Sequence, residues 1–307
     1  MKKLFTILFT ISCFLTYAAD LYVVPGGTAP NYSSIHTAVN AAVDGDRVLV
    51  APGIYVENVS MPAISLMLIP MSDGGNYTIS GSFEISASSG SSIKSSTIVG
   101  AIIQGDFEEE NNTTSTSGSF INEFNIINCE FLQNFNPNYG VITNIYYSTF
   151  HSGYTKSGMF KEIIGNEFLN ESTSQLELNC KSIKSTQQAA TTLYGDDKVL
   201  KVYGNHFINT SLQVLGNSMN EWLEEVHIAN NFFEHTNNSP YSGNGMSYQL
   251  LNLSNFGNYQ IPGFLVENNT FMKATGNNIS GWAYFMNGPY TTNIIRNNMF
   301  YNATSWS

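Results

Sequence analysis

The chain has 307 residues, 42% apolar and only 11% charged, and its 12 lysines and arginines face 23 acidic residues for a formal net charge of −11. That balance argues against nucleic acid and anionic membranes as partners, since both are bound by clustered cations. Three cysteines in this length exclude a disulfide-built scaffold, and the length suits one or two domains.

Lys2 and Lys3 precede an apolar run that reaches about Tyr17 and is followed by Ala18, Ala19 and Asp20. Two cations, a short hydrophobic core and small residues before a polar one predict a secretory signal peptide over residues 1–19, too short to span a bilayer. Cleavage after Ala18 or Ala19 and lipid attachment at Cys13 are the two processing routes it offers. The expected location is the periplasm, the surface or the exterior of a bacterium. No later segment is apolar for long enough to cross a membrane. Ten cations remain once Lys2 and Lys3 are removed. Cys129 and Cys180 are expected as buried thiols.

Residues 20–55 form the next unit. Ser33 or Ser34 is a suitable N-cap; Ile35, Val39 and Ala42 or Val43 fall on one helical stripe, and Gly45 ends the turn. A strand over 47–50 with Val48 and Val50 inward follows, then a Pro52-Gly53 turn before Tyr55. The short amphipathic helix is expected to be a lid, because the open end of a stacked sheet exposes unpaired edges and bare core. Residues 64–69, 77–79, 83–85 and 98–103 read as short strands of the first coils. The polar run 106–117 has few apolar anchors and is expected to be a protruding loop.

From residue 126 onward a six-residue signature recurs: an aliphatic residue, a variable one, two small or amide residues, a variable one, then phenylalanine. It reads IINCEF at 126–131, IYYSTF at 145–150, IIGNEF at 163–168, VYGNHF at 202–207, IANNFF at 228–233, VENNTF at 266–271 and IRNNMF at 295–300. The phenylalanines lie 19, 18, 39, 26, 38 and 29 residues apart, so the shortest unit is about 18 residues, which means a solenoid. The segments are short and rich in Ile, Val, Phe, Tyr and Thr, so the coils are built of strands. The second small position holds Asn166, Asn205, Asn231, Asn269 and Asn298. Asparagine tolerates the left-handed backbone that a sharp turn needs, and stacked amides can bond one another in a ladder.

The run SSIHTAVNAAVDGDRVLVAPGIYVENV at 33–59, together with the repeated coils, resembles the opening segment and body of the pectate-lyase-like superfamily of right-handed parallel β-helices. The resemblance covers almost all of residues 20–307 and implies an all-β, single right-handed parallel β-helix with an N-terminal amphipathic capping helix, its coils occupying 56–307. The superfamily includes lyases, hydrolases, esterases, epimerases, tailspikes and adhesins, so the fold does not choose a chemistry.

Four segments preceding signatures or interruptions, at 119–124, 140–145, 158–163 and 175–180, are expected to stack as the first strand of each coil. In the resembled families that sheet floors the substrate groove. Alternation of side chains then sets Asn122, Thr143, Lys161 and Asn179 in one outward column and Glu177 in its neighbour, a sugar-binding row beside an apolar one. Insertions after 180 and 215 would wall the groove. Lys181, Lys184, Lys198 and Lys201 gather in one part of the sequence, against the global charge.

Eliminative cleavage of a uronate polymer needs a base for the C5 proton and a cation, often Ca²⁺, to neutralise the carboxylate. The runs 176–185, 202–217 and 226–233 are similar to the chondroitinase B and alginate lyase family, in which a Lys-Ser pair is followed by a GNxF coil and an Arg-His-Gly triplet. Lys181-Ser182 matches the first element, so Lys181 and Lys184 are the candidate catalytic residues. The triplet is replaced by Leu215-Gly216, and the acidic calcium ligands by Thr173, Ser174 and Gln175. Hydrolysis requires two carboxyls; Glu130 and Glu167 share a coil position two coils apart but sit beside the turn and read as structural. The expected function is recognition, with or without cleavage, of an extracellular uronate-containing polysaccharide, and the alternative is a passive structural or adhesive stalk. No metal ligands are assigned. Because the sequence closes directly after a signature, a partner at the last coil or further sequence beyond it is also expected.

Overall fold

A computed structural model describes residues 18–86, 94–109, 122–137, 141–151, 159–169, 176–181, 199–216, 225–236, 251–255, 263–273, 284–287 and 293–301. The segment expected to be a signal peptide, residues 1–19, therefore lies almost wholly outside the described residues. The chain is a three-sided parallel β-helix. An 11-stranded sheet runs from Asp20–Val23 to Asn293–Arg296, and a 10-stranded sheet from Gly53–Tyr55 to Met299–Tyr301. The third side is made of two four-stranded sheets, Val59–Met61 to Phe135–Asn136 and Leu176–Lys181 to Tyr284–Asn287. Neighbouring strands are parallel and one coil apart, so the ladder hydrogen bonds tie coil to coil.

Each signature position has one structural duty. The aliphatic residue is the last inward residue of the 11-stranded sheet: Ile126, Ile145, Ile163, Val202, Ile228 and Val266 are buried. The phenylalanines point inward from the 10-stranded sheet and pile in a single file. Ring centroids are 4.9 Å apart for Phe131 and Phe150 and 4.8 Å for Phe150 and Phe168, with planes within 9°. The file continues through Phe207, Phe233, Phe271 and Phe300. Such stacks add about 0.5–1.5 kcal/mol each beyond the burial of the rings.

The two middle positions divide the work assigned above to the second one. The left-handed residue is the first: Asn128, Tyr147, Asn230, Asn268 and Asn297 have φ of 51–58°, and Gly165 and Gly204 have φ of 68° and 65°. The second residue turns inward and is buried, and the asparagines there form the expected ladder. Asn231 Oδ1 accepts from the Asn205 backbone N and Nδ2, both at 2.9 Å, while Asn231 Nδ2 donates to the Val202 carbonyl at 2.8 Å. Where Ser148 and Cys129 take this place the ladder persists in reduced form: Ser148 N donates to Asn166 Oδ1, and Cys129 N to Ser148 Oγ.

The helix Ile35–Ala41 lies over the first coils with Ile35, Ala38 and Val39 buried. Ser34 is its N-cap, accepting from Thr37 N at 3.1 Å. Glu57 completes the cap from the neighbouring coil, taking Ile35 N at 2.7 Å and His36 N at 3.2 Å. These bonds satisfy donors that a helix start leaves open. Val48 and Val50 face inward as expected, whereas Val43 is 56% exposed. The loop expected at 106–117 begins instead as a strand, Phe107–Glu109, because Phe107 is fully buried and stacks on Phe135 at 4.7 Å. Residues 110–121 lie outside the described set. Among the described residues no helix is long and apolar enough to cross a membrane.

Candidate functional site

The structure separates the predicted site residues. Asn122–Ile127 pairs with Val141–Tyr146, and that strand with Met159–Ile164, but the next neighbour is Val199–Tyr203 and not Leu176–Lys181. Leu176–Lys181 pairs with Thr210–Gly216 on the third side. Glu177, Asn179 and Lys181 thus belong to a different sheet from Asn122, Thr143 and Lys161, and their side chains, like Lys184 and Lys198 altogether, lie outside the described residues.

The columns also differ. Asn122 stands opposite Val141, not Thr143, and its side chain is not among those described. Thr143 stands between Phe124 and Phe160 and is fully buried, on the inward side of the sheet. Outward-facing Thr143 is therefore corrected: the inward parity is set by Phe124 and Ile126, which a strand cannot turn outward without exposing both. Lys161 is on the outer face and half-buried. It sits at a register shift, where Lys161 and Glu162 together oppose Asn144.

Following the register across the 11-stranded sheet produces two outward rows. One is mostly polar: Asp20 and Arg47 at one end, then Thr97, Asn125, Asn144, Glu162, Lys201 and His227. The other is apolar and aromatic. It starts with Tyr22, Leu49 and Ile69, passes through Val99 and Ile127, and continues as Tyr146, Ile164, Tyr203 and Ala229. All of these but the exposed Tyr22 and the buried Ala229 are half-buried. The row ends where Glu267 and Arg296 take the next two places.

In the middle of the face the polar side chains are linked. Asn144 Nδ2 donates to Glu123 Oε1 at 2.7 Å and to Asn125 Oδ1 at 2.9 Å, and its Oδ1 accepts from Glu162 N at 3.2 Å. Tyr146 Oη donates to Glu162 Oε2 at 2.6 Å and Lys201 Nζ to Glu162 Oε1 at 3.1 Å. Burial opposes the charge on Glu162, but the hydrogen bonds of Tyr146 and Lys201 and the charges of Lys201 and Lys161 outweigh it, so its pKa lies below the ordinary carboxylate value. Burial, then the bonded Glu162 carboxylate, push the Tyr146 phenol far up.

One strand further on, His227 Nε2 meets Glu225 Oε2 at 2.6 Å and His227 Nδ1 meets Tyr203 Oη at 3.1 Å. A carboxylate only accepts, so His227 donates through Nε2–H, and in the neutral ring Nδ1 is then the acceptor for the Tyr203 hydroxyl. Burial raises the Tyr203 pKa. This Glu–His–Tyr chain can take a proton from, and return one to, a group lying on Tyr203. From sequence alone His227 has no such companions, since Tyr203 is 24 residues away and meets it only through the strand register.

Glu130 and Glu167 do occupy one column, two strands apart through Thr149, but on the 10-stranded sheet, where Glu130 is bound to His151 at 2.7 Å. His206 follows them, against Glu234 at 3.3 Å and the Phe232 ring. Among the described residues no three His, Cys, Asp or Glu side chains converge to hold a metal ion. Cys129 is a buried free thiol whose pKa burial pushes up to about 12, an inert group. No protein-family model, curated protein or solved structure matches this chain.

Proposed function

We propose that the outer face of the 11-stranded sheet binds an extracellular polysaccharide laid along the solenoid axis. The observation that carries this reading is the pair of rows in register. Tyr146, Ile164 and Tyr203 offer apolar faces for sugar rings, while Asn125, Glu162, Lys201 and His227 offer donors and acceptors in the neighbouring row, where buried Asn144 holds Glu123 and Asn125 in place. A sugar ring likewise has an apolar face with hydroxyls at its edge, so a chain laid along the axis meets both rows at once. Export is supported by the leader pattern of residues 1–19, and membership of the pectate-lyase-like superfamily by the opening segment and the coils. The Glu225–His227–Tyr203 chain is the place on this face where a bound polymer would meet a proton-transfer group.

The test is retention of the purified protein on a panel of immobilised glycans, with new reducing and unsaturated ends assayed in parallel. Retention that drops about tenfold or more in Tyr203→Ala supports the reading. Failure to bind any glycan, with the protein folded, rejects it in favour of a structural stalk.

A further inference from the structure

We infer that the polymer is an uncharged glycan held over about eight sugar rings; this rests on the binding reading above and narrows it to a substrate class. Three of the described cations of the face are engaged by carboxylates of adjacent strands: Arg47 by Asp20 at 2.7 Å, Lys201 by Glu162 at 3.1 Å and Arg296 by Glu267 at 2.7 Å. The remaining one, Lys161, is next to Glu162 on its own strand and faces that carboxylate's charge. Glu123 and Glu225 add further negative charge to the same face, on a chain of net charge −11. A polyanion bound to Lys201 would lie against the Glu162 carboxylate that shares the same ammonium, and like charges there repel. Its remaining charges would meet Glu123 and Glu225 inside the ~8 Å screening length of physiological salt. A polymer of hydroxyls escapes both costs, because carboxylates, amides and phenols on the face bond sugar hydroxyls as they stand.

The footprint follows from the ends of the apolar row. Its solvent-reachable part runs from Tyr22 to Tyr203 over eight successive strands; Ala229 beyond it is buried, and the next places are taken by Glu267 and Arg296. Seven spacings of ~4.8 Å give roughly 34 Å. An extended pyranose chain advances by about one spacing per ring, so each ring added up to about eight gains another apolar contact and further rings gain none.

The experiment is calorimetric titration of the intact protein with uncharged β-glucan and xylan oligomers of graded length, and with oligogalacturonate and oligoguluronate of matched length, at low and high salt. Expected are affinity for an uncharged series that rises with length and levels off near eight rings, a change of less than about twofold between the two salts, and a loss of about tenfold in Ile164→Lys. Circular dichroism establishes that this variant is folded. Binding of the uronate oligomers alone overturns the inference and leaves polysaccharide binding intact. Binding of neither series, or a sedimenting dimer whose dissociation is needed before any sugar binds, overturns it as well. Only the absence of binding to every glycan removes the broader reading with it.

Discussion

Asn205 Oδ1 accepts two hydrogen bonds from Asn166, from the backbone N at 2.9 Å and from Nδ2 at 3.0 Å. Asn205 in turn passes the same pair to Asn231 and gives Nδ2 to the Ile163 carbonyl at 2.8 Å. One side chain therefore satisfies groups from three coils in a place with no water to replace it. Asn205→Ala leaves at least two buried donors of Asn166 and one carbonyl open, at about 1–3 kcal/mol each. The expected loss of stability is about 3 kcal/mol or more by urea unfolding. Asn205→Asp keeps the acceptor but loses the donor and sets two oxygens face to face against Asn231, so it is expected to be no better. A loss under ~1 kcal/mol for either would show that the ladder decorates the turn without holding it.

Phe150 lies between Phe131 and Phe168 in the aromatic file. Phe150→Ala removes a ring from both stacks and opens a cavity that the rigid strand spacing cannot close, so about 3–5 kcal/mol should be lost. Phe150→Leu should cost distinctly less. Equal losses for the two substitutions would mean that the ring stack, and not the volume left empty, decides stability at this site.

Tyr147 occupies a left-handed corner at φ 51° although it is a bulky residue, and its side chain is 65% exposed. Asparagine fills the same corner in four of the other coils. Tyr147→Asn should stabilise the chain by roughly 1 kcal/mol, the relief of left-handed strain. Gly165, at φ 68° on the next coil, has the Tyr147 ring where a Cβ would stand, 2.7 Å away. Gly165→Ala should therefore destabilise by more in the native background than in Tyr147→Asn, and a double-mutant cycle by thermal unfolding measures the difference. Strict additivity would contradict the contact.

The Tyr146–Glu162 pair predicts opposite limbs of the stability profile. The folded pKa of Glu162 is depressed, so its contribution is present above the unfolded value of about 4.3 and fades as pH falls through the folded value. The folded pKa of Tyr146 is raised, so its contribution is complete below about 10 and fades as pH rises beyond that. Urea midpoints measured across pH should lose part of the acid limb in Glu162→Gln and part of the alkaline limb in Tyr146→Phe. Unchanged profiles in both variants would remove the pair as an ionised, hydrogen-bonded unit.

The winding is legible in local residues alone. Each signature position meets a local requirement: an apolar side chain inward, a residue tolerant of left-handed backbone, an amide that can bond its like, a ring that can stack. Residues 228–233 and 163–168 show this without reference to anything distant. Which strands share a face is set by contacts between coils. Leu176–Lys181 has the same alternation as Met159–Ile164, and a period of two is identical on all three sides of a coil, so pattern alone set Glu177, Asn179 and Lys181 beside Thr143 and Lys161. Thr143 is the sharper case: its side is chosen by Phe124 and Phe160 on neighbouring coils, as Tyr203 reaches His227 only through strand pairing. Register between coils is a property of long-range hydrogen bonds and packed neighbours, and neither leaves a mark on the local sequence.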